Sequence, residues 1–353
     1  MNKPIYITPI IKLTEACNFS CNYCRYANNE TSATIMSYED ALLYIEKIID
    51  YNLSQESKFA HIIYHGGEPL LWGKKNFHEL INWQKRRDFR FINSIQTNGF
   101  LIDEEWCEIF NEGQFDVGIS IDGPEHLNGH MLKGKKVDDI ILSNIHLLEN
   151  KKCRHGILSV ITDKHQSAKE YYDFLVKNDI HSVGLCYCYQ NNENAVSNAA
   201  LSKFLCELFD LYFFGKYKLS IREFDCGIQK MLKGKTTSCH CNERNSCGRY
   251  ISVLPNGDVR FCDSYDFFGQ TYGNLKNSNV TAIISSEPYQ NEILASRKVK
   301  DILCIHCDVF DLCAGGCYRN DYNESNYFCE TYKRVYSYIR NRVSEYLRSK
   351  NES

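Results

Sequence analysis

The sequence predicts an α/β fold: a partial (β/α)6 barrel, then a small cysteine-rich domain and a C-terminal helix. Three observations lead there. Over the first ~190 residues, short β-rich runs alternate with segments of helical apolar spacing. Each β-rich run gives way to a polar turn. Beyond residue 239 the apolar periodicity fades, and the spacing of cysteines organises the chain instead.

Residues 6–13 are β-rich and end at a loop carrying Cys17, Cys21 and Cys24. Ser37 reads as a helix cap, with helical spacing continuing to residue 51. Residues 59–64 form the next predicted strand, stopped by His65-Gly66-Gly67-Glu68-Pro69, and a helix follows around 75–87. Strand 91–96 closes at Thr97-Asn98-Gly99 and precedes helix 103–111. Strand 115–121 closes at Asp122-Gly123-Pro124 and precedes helix 138–149. Strand 156–161, helix 168–177 and strand 182–189 follow. Six β/α units imply a parallel sheet with right-handed crossovers. Six are too few for a closed eight-fold barrel, so an open partial barrel is expected. Catalytic loops of parallel α/β barrels gather at the carboxyl ends of the strands. The glycines, the polar turns and the cysteine loop all fall there. Two bridging helices are expected at 201–214 and 221–232, and an amphipathic helix at 331–348. The expected domains are residues 1–198, 199–238, 239–330 and 331–353.

With 353 residues, 43% apolar and 13% aromatic, the chain can bury a large core in two or three domains. A net charge of -3 argues against nucleic acid as the main partner. Local basic runs, Lys85-Arg86-Arg87 and residues 133–136, read as solvated surface. No run approaches the ~20 apolar residues of a membrane span. No signal peptide is expected, so the predicted location is the cytoplasm.

Eighteen cysteines are then the anomaly. In a cytoplasmic chain, clustered cysteines read as metal ligands before disulfides. Cys107, Cys153, Cys186, Cys188, Cys206 and Cys226 lie apart and read as buried small hydrophobes. Cys186 and Cys188 would share one face of a strand. The C-x3-C-x2-C loop is one thiolate short of the four a [4Fe–4S] cluster normally takes. One iron would stay open to a small molecule; half of a zinc site is the alternative. Downstream, Cys239 and Cys241 precede Cys247-x9-Gly257-x4-Cys262, then Cys304-x2-Cys307-x5-Cys313-x3-Cys317, with Cys329 after eleven intervening residues. Eight of these nine would close two four-thiolate sites, leaving one of Cys239 and Cys241 spare. Two structural zinc sites are again the alternative. A region so poor in apolar pattern is expected to need its metal to fold.

Taken together, the motifs resemble those of radical S-adenosylmethionine (SAM) enzymes with a SPASM domain. Within that group the chain is most similar to the anaerobic sulfatase-maturating enzymes. The resemblance covers nearly the whole chain. It rests on the cysteine loop with Tyr23 before its last cysteine, on Gly66-Gly67-Glu68-Pro69, and on Gln96-Thr97-Asn98-Gly99 with Leu101-Ile102-Asp103-Glu104. It rests also on Ser120-Ile121-Asp122-Gly123-Pro124 and on the seven-cysteine SPASM spacing.

The resemblance implies roles. Cys17, Cys21 and Cys24 would bind the catalytic [4Fe–4S] cluster, whose open iron chelates SAM. Gly66, Gly67, Glu68 and Pro69 would meet the SAM amino group, chiefly through the Gly67 backbone, with Glu68 orienting the loop. Ser120 would contact the methionyl carboxylate, with Asp122 in the same SAM-binding turn. Tyr23 and Tyr189 would pack the nucleoside. A family Arg that helps hold SAM falls near Leu132 and Lys133; Lys133 is the substitute, less suited to a bidentate contact. The family often has Gln where this chain has His65. Cys247, Cys262, Cys317 and one of Cys239 and Cys241 would hold one auxiliary cluster. Cys304, Cys307, Cys313 and Cys329 would hold the second. Asp263 matches the family's proposed proton acceptor, against an ordinary role capping a turn.

The implied reaction is reductive SAM cleavage, then hydrogen abstraction from a peptide or protein side chain. The product is formylglycine from Cys or Ser, with a flavodoxin- or ferredoxin-type electron donor. The alternatives are a maturase crosslinking a ribosomal peptide and, from another class, a non-catalytic zinc-stabilised binding protein.

Overall fold

Every residue of β1 (Thr8–Thr14) is buried. The computed structural model describes residues 6–21, 24, 34–128, 132, 137–188, 194–235, 247–263, 269–297, 302–317, 320–322 and 325–351. Six strands each lead into a helix. β1 leads into α1 (Tyr38–Ser54), β2 (Phe59–Gly66) into α2 (Lys74–Lys85), and β3 (Arg90–Thr97) into α3 (Glu104–Glu112). β4 (Phe115–Ser120) leads into α4 (Asp138–Asn150), β5 (His155–Ile161) into α5 (Ala168–Lys177), and β6 (Ser182–Tyr187) into α6 (Asn198–Phe214). Local chemistry starts these helices: Ser37, Asp103, Ser167 and Ser197 each accept a first-turn backbone N–H. β6 stops at Tyr187, so Cys188 lies beyond the strand that was expected to pair it with Cys186.

Then come β7 (Ser220–Ile221), α7 (Arg222–Lys233), β8 (Tyr250–Val253), β9 (Asp258–Arg260) and β10 (Gly273–Asn274). α8 (Val280–Ile284), α9 (Glu287–Arg297), α10 (Ile302–Ile305) and α11 (Phe310–Cys313) follow. β11 (Asp321–Tyr322), β12 (Ser325–Asn326) and α12 (Cys329–Asn351) complete the chain. The described residues between 247 and 329 are thus more regular than the weak periodicity implied.

The chain divides into two units. The first comprises residues 1–121, 129–156 and 248–295. Its strands run in the order β10-β9-β8-β1-β2-β3-β4. β1 pairs in parallel with β2 and with β8, while β8, β9 and β10 pair antiparallel. Its core gathers Tyr44, Ile45 and Ile48 of α1 with Tyr64, Phe77, Trp106 and Phe115. The rings of Phe77 and Trp106 lie 5.4 Å apart, edge to face. Ile251, Val253, Val259, Phe261, Leu275 and Tyr289 are buried as well. Although apolar periodicity fades in the cysteine-rich region, part of it thus adds buried apolar side chains to the first unit.

The second unit comprises residues 122–128, 157–247 and 296–353. Here β5, β6 and β7 pair in parallel. α12 buries Val335, Tyr336, Ile339 and Val343, and it packs on α6, which buries Leu201, Phe204, Leu205, Leu208 and Phe209. Each such side chain stabilises by about 1.5–3 kcal/mol on full burial.

Candidate functional site

The parallel register of the first unit decides which side chains meet. Lys12 is the register partner of His65, Ile63 of Ser94, and Gln96 of Gly118. Partners point the same way, and residues two apart share a face. Lys12, His65, Gln96 and Ser120 therefore line one face of the sheet at its carboxyl ends. Gln96 Nε2 donates to Ser120 Oγ at 2.9 Å. A Cβ at position 118 would stand 2.2 Å from Gln96 Oε1, so Gly118 leaves the room that Gln96 occupies.

The cysteine loop follows β1. Phe19 is buried, its ring edge-on to Phe100, and its N–H points to Cys17 Sγ at 3.4 Å. Cys24 N–H donates to Cys21 O at 3.1 Å. Asn98 reaches across, donating to Asn18 Oδ1 at 2.7 Å and lying 4.0 Å from Cys17 Sγ. Burial pushes the Cys17 thiol up to about 11, and the charges of Glu68 and Cys24 add to the rise.

The turn after β2 presses against this loop. Gly67 N–H donates to Thr14 O and Glu68 N–H to Ala16 O, both at 2.8 Å. A Cβ on Gly66 would stand 2.2 Å from Thr14 O, and one on Gly67 would stand 2.1 Å from Ala16 O. Gly66 also has φ of +140°, which disfavours any side chain. Both glycines are thus required by backbone proximity. Glu68 is fully buried. Its Oε1 accepts from Leu70 N at 2.9 Å and Thr97 Oγ1 at 2.7 Å, and its Oε2 from Asn98 N at 2.8 Å. Burial pushes its carboxyl up to about 7 against the pull of these donors. Pro69 opens the short 3-10 turn that follows.

Asp263 follows β9 and belongs to the same unit. Its Oδ1 accepts a charge-assisted bond from Lys12 Nζ. The Lys12 side chain is 1% exposed and that of Asp263 is 46% exposed.

In the second unit, the buried Asp122 accepts Val160 N–H at 2.9 Å, and its own N–H donates to Asn128 Oδ1 at 2.6 Å. Its carboxylate thus also serves as a strut within the turn. Further along, burial pushes the Cys313 thiol up to about 11, while the Gly315 N–H lowers it. Cys307, Cys304 and Cys329 all add to the rise, so these four sulfurs share one neighbourhood. Cys329 and, more weakly, Cys307 help raise Lys333 beside them. Cys247 and Cys317 lie in this unit, and Cys262 in the first. Tyr23, Lys133, Tyr189, Cys239 and Cys241 lie outside the described residues.

Two family models match. Residues 11–175 match the radical SAM superfamily and residues 239–308 an iron–sulfur cluster-binding domain. A serine-type anaerobic sulfatase-maturating enzyme of Bacteroides thetaiotaomicron is 27% identical, covering 96% of this chain and 90% of its own length. The solved structure of native anSMEcpe with bound AdoMet and the Cp18Cys peptide superposes with a TM-score of 0.85. It is 26% identical and covers 97% of this chain and 99% of its own. A cysteine-type anaerobic sulfatase-maturating enzyme of Clostridium novyi is 30% identical, covering 91% of each chain. The chain belongs to the anaerobic sulfatase-maturating enzymes.

It is accordingly a radical SAM oxidative enzyme acting on a peptide or protein, with SAM and [4Fe–4S] clusters as cofactors. The described residues of this family member fit those groups. The three-cysteine loop is a soft donor set. The Asn18 Nδ2 beside it is buried without a hydrogen-bond partner among the described residues. Among those residues, no three His, Cys, Asp or Glu side chains gather tightly enough for a single metal ion. A four-iron cluster takes one thiolate per iron and so spreads its ligands wider. Sequence reading assigned no site role to Lys12, Asn18, Gln96, Thr97 or Asn98. For Lys12 the readable signal was a lysine in the apolar run of β1, because lysine is almost never buried unpaired; Gln96, Thr97 and Asn98 stood in a motif that carried the resemblance.

Proposed function

We propose that this chain oxidises a Cys or Ser side chain of a sulfatase to formylglycine. The observation that carries the reading is Asp263, held by Lys12 over the face that ends in the cysteine loop and the glycine turn. It is supported by relatives that are cysteine- and serine-type sulfatase-maturating enzymes, and by a solved relative that holds a peptide with AdoMet. When bound, SAM and the clusters supply a 5′-deoxyadenosyl radical and take up the surplus electron.

Cys17, Cys21 and Cys24 hold the SAM-binding cluster. The Gly67 backbone, braced by Glu68, meets the SAM amino group. Ser120, oriented by Gln96, meets the methionyl carboxylate. Asp122 shapes the turn beyond Ser120. Tyr23 and Tyr189 pack the nucleoside, with Lys133 nearby. Cys247, Cys262, Cys317 and one of Cys239 and Cys241 hold one auxiliary cluster, and Cys304, Cys307, Cys313 and Cys329 the other. Asp263 takes the thiol or hydroxyl proton as one hydrogen atom leaves Cβ and one electron leaves the substrate. A serine is then an aldehyde directly. A cysteine is a thioaldehyde, which water converts to the aldehyde with loss of hydrogen sulfide. A flavodoxin- or ferredoxin-type protein supplies the electron for SAM cleavage, and the reaction belongs in the cytoplasm. Among the described residues no helix is long and apolar enough to cross a membrane.

The test is anaerobic incubation with SAM, a strong reductant and a sulfatase peptide carrying Cys or Ser at the target position. The expected result is an aldehyde on the peptide together with 5′-deoxyadenosine. SAM cleavage that leaves both peptides unmodified would overturn the sulfatase assignment.

A further inference from the structure

The least expected side chain of the first unit is Lys12. It sits in a strand whose other residues are all buried, and only 1% of its own side chain is exposed. An ammonium cannot be left there unpaired without a penalty of several kcal/mol. Its neighbours on β1, Ile11 and Leu13, turn to the opposite, apolar side. Lys12 instead shares the face of His65, Gln96 and Ser120, and its Nζ donates to Asp263 Oδ1.

Asp263 gains direction from such a partner. Its backbone is placed by the turn after β9, but that does not set the direction of the carboxyl group. The terminal torsion of an aspartate is broad and nearly two-fold. At 46% exposure, little packing restrains it. A charge-assisted bond from a buried ammonium adds a directional restraint. The ladder to β2 sets Lys12 opposite His65, and the ladder to β8 holds the preceding residue, Ile11, so the sheet fixes the base of Lys12, while burial restrains its side chain.

We propose that Lys12 is the positioning residue of this active site, fixing the Asp263 carboxylate where it meets the substrate's thiol or hydroxyl. The inference rests on the reading of Asp263 as proton acceptor. Lys12 itself touches no reacting atom; it acts through Asp263. Misplacement of a catalytic group by about 1 Å can lower its efficiency about 100-fold.

The experiment compares Lys12→Met, Lys12→Arg, Asp263→Asn and the double variant Lys12→Met with Asp263→Asn. The probe is a synthetic sulfatase peptide with one target Cys, and the readout is aldehyde formed per 5′-deoxyadenosine. Lys12→Met is expected to lower that ratio about 10- to 100-fold, and Lys12→Arg to recover part of it. The double variant should be no worse than Asp263→Asn, because both changes remove one linked function. A crystal structure of Lys12→Met should show the Asp263 carboxylate turned from its present place. An unchanged ratio in Lys12→Met, with the product lost in Asp263→Asn, overturns the inference and leaves the proton acceptor standing. An unchanged product in Asp263→Asn removes both. If Lys12→Met fails to take up iron, Lys12→Leu carries the comparison, since it also removes the donor and suits the buried slot. A wild-type ratio in that variant would also overturn the inference.

Discussion

Glu68 shows what one buried carboxylate does for the site. Its two oxygens accept three donors, from Leu70, Thr97 and Asn98, and so tie the glycine turn to the end of β3. In Glu68→Gln one acceptor becomes an NH2 group facing a donor. Such a mismatch costs about 1–3 kcal/mol, read as a lower melting temperature and weaker SAM binding. The pH dependence has a definite sign. Burial raises the folded-state carboxyl from 4.5 to about 7. Its contribution to stability is therefore full below pH 4.5 and is lost as pH rises through about 7. Wild type should lose part of its advantage over Glu68→Gln between pH 5 and 8, and a constant difference across that range would refute the assignment. The glycines before it were legible as a motif. Their reason was not, because it lies in the 2.1 Å and 2.2 Å approaches that a side chain would make to Ala16 O and Thr14 O.

At the level of elements, the helices of the β/α units were the most legible parts. Their signals are local: a cap, a period of 3.6, and a stop. Ser37 opens α1 and accepts Asp40 N–H at 3.0 Å. Ser37→Ala should cost about 1 kcal/mol, measurable by denaturant unfolding, with no change in the product formed per SAM cleaved. A shift in that ratio would mean that α1 reaches the site in a way the cap does not explain. The short strands β8 and β9 were not legible. With four and three residues they are too short to show a period. They exist because β8 finds β1, with Ile10 opposite Ser252, far upstream in the chain. That pairing brings the turn bearing Cys262 and Asp263 into the first unit.

For the whole molecule the testable quantity is metal content. Prepared without oxygen, the protein should carry about twelve irons in three four-iron clusters. Cys307→Ala should remove about four of them, because Cys304, Cys307, Cys313 and Cys329 lie in one electrostatic neighbourhood. Iron analysis and visible absorption check both statements. Zinc in place of iron would overturn the cofactor assignment and the proposed reaction with it.

The sequence by itself determined the alternation of strands and helices, the cysteine spacings and the family. All are carried by residues close together in the chain, where periodicity, capping and ligand spacing act locally. Only the tertiary structure decided that Lys12 meets Asp263, across 251 positions of sequence, and that Gln96 reaches Ser120 and Asn98 the cysteine loop. These meetings depend on strand order and register, which arise when separate elements pair and bury a common face.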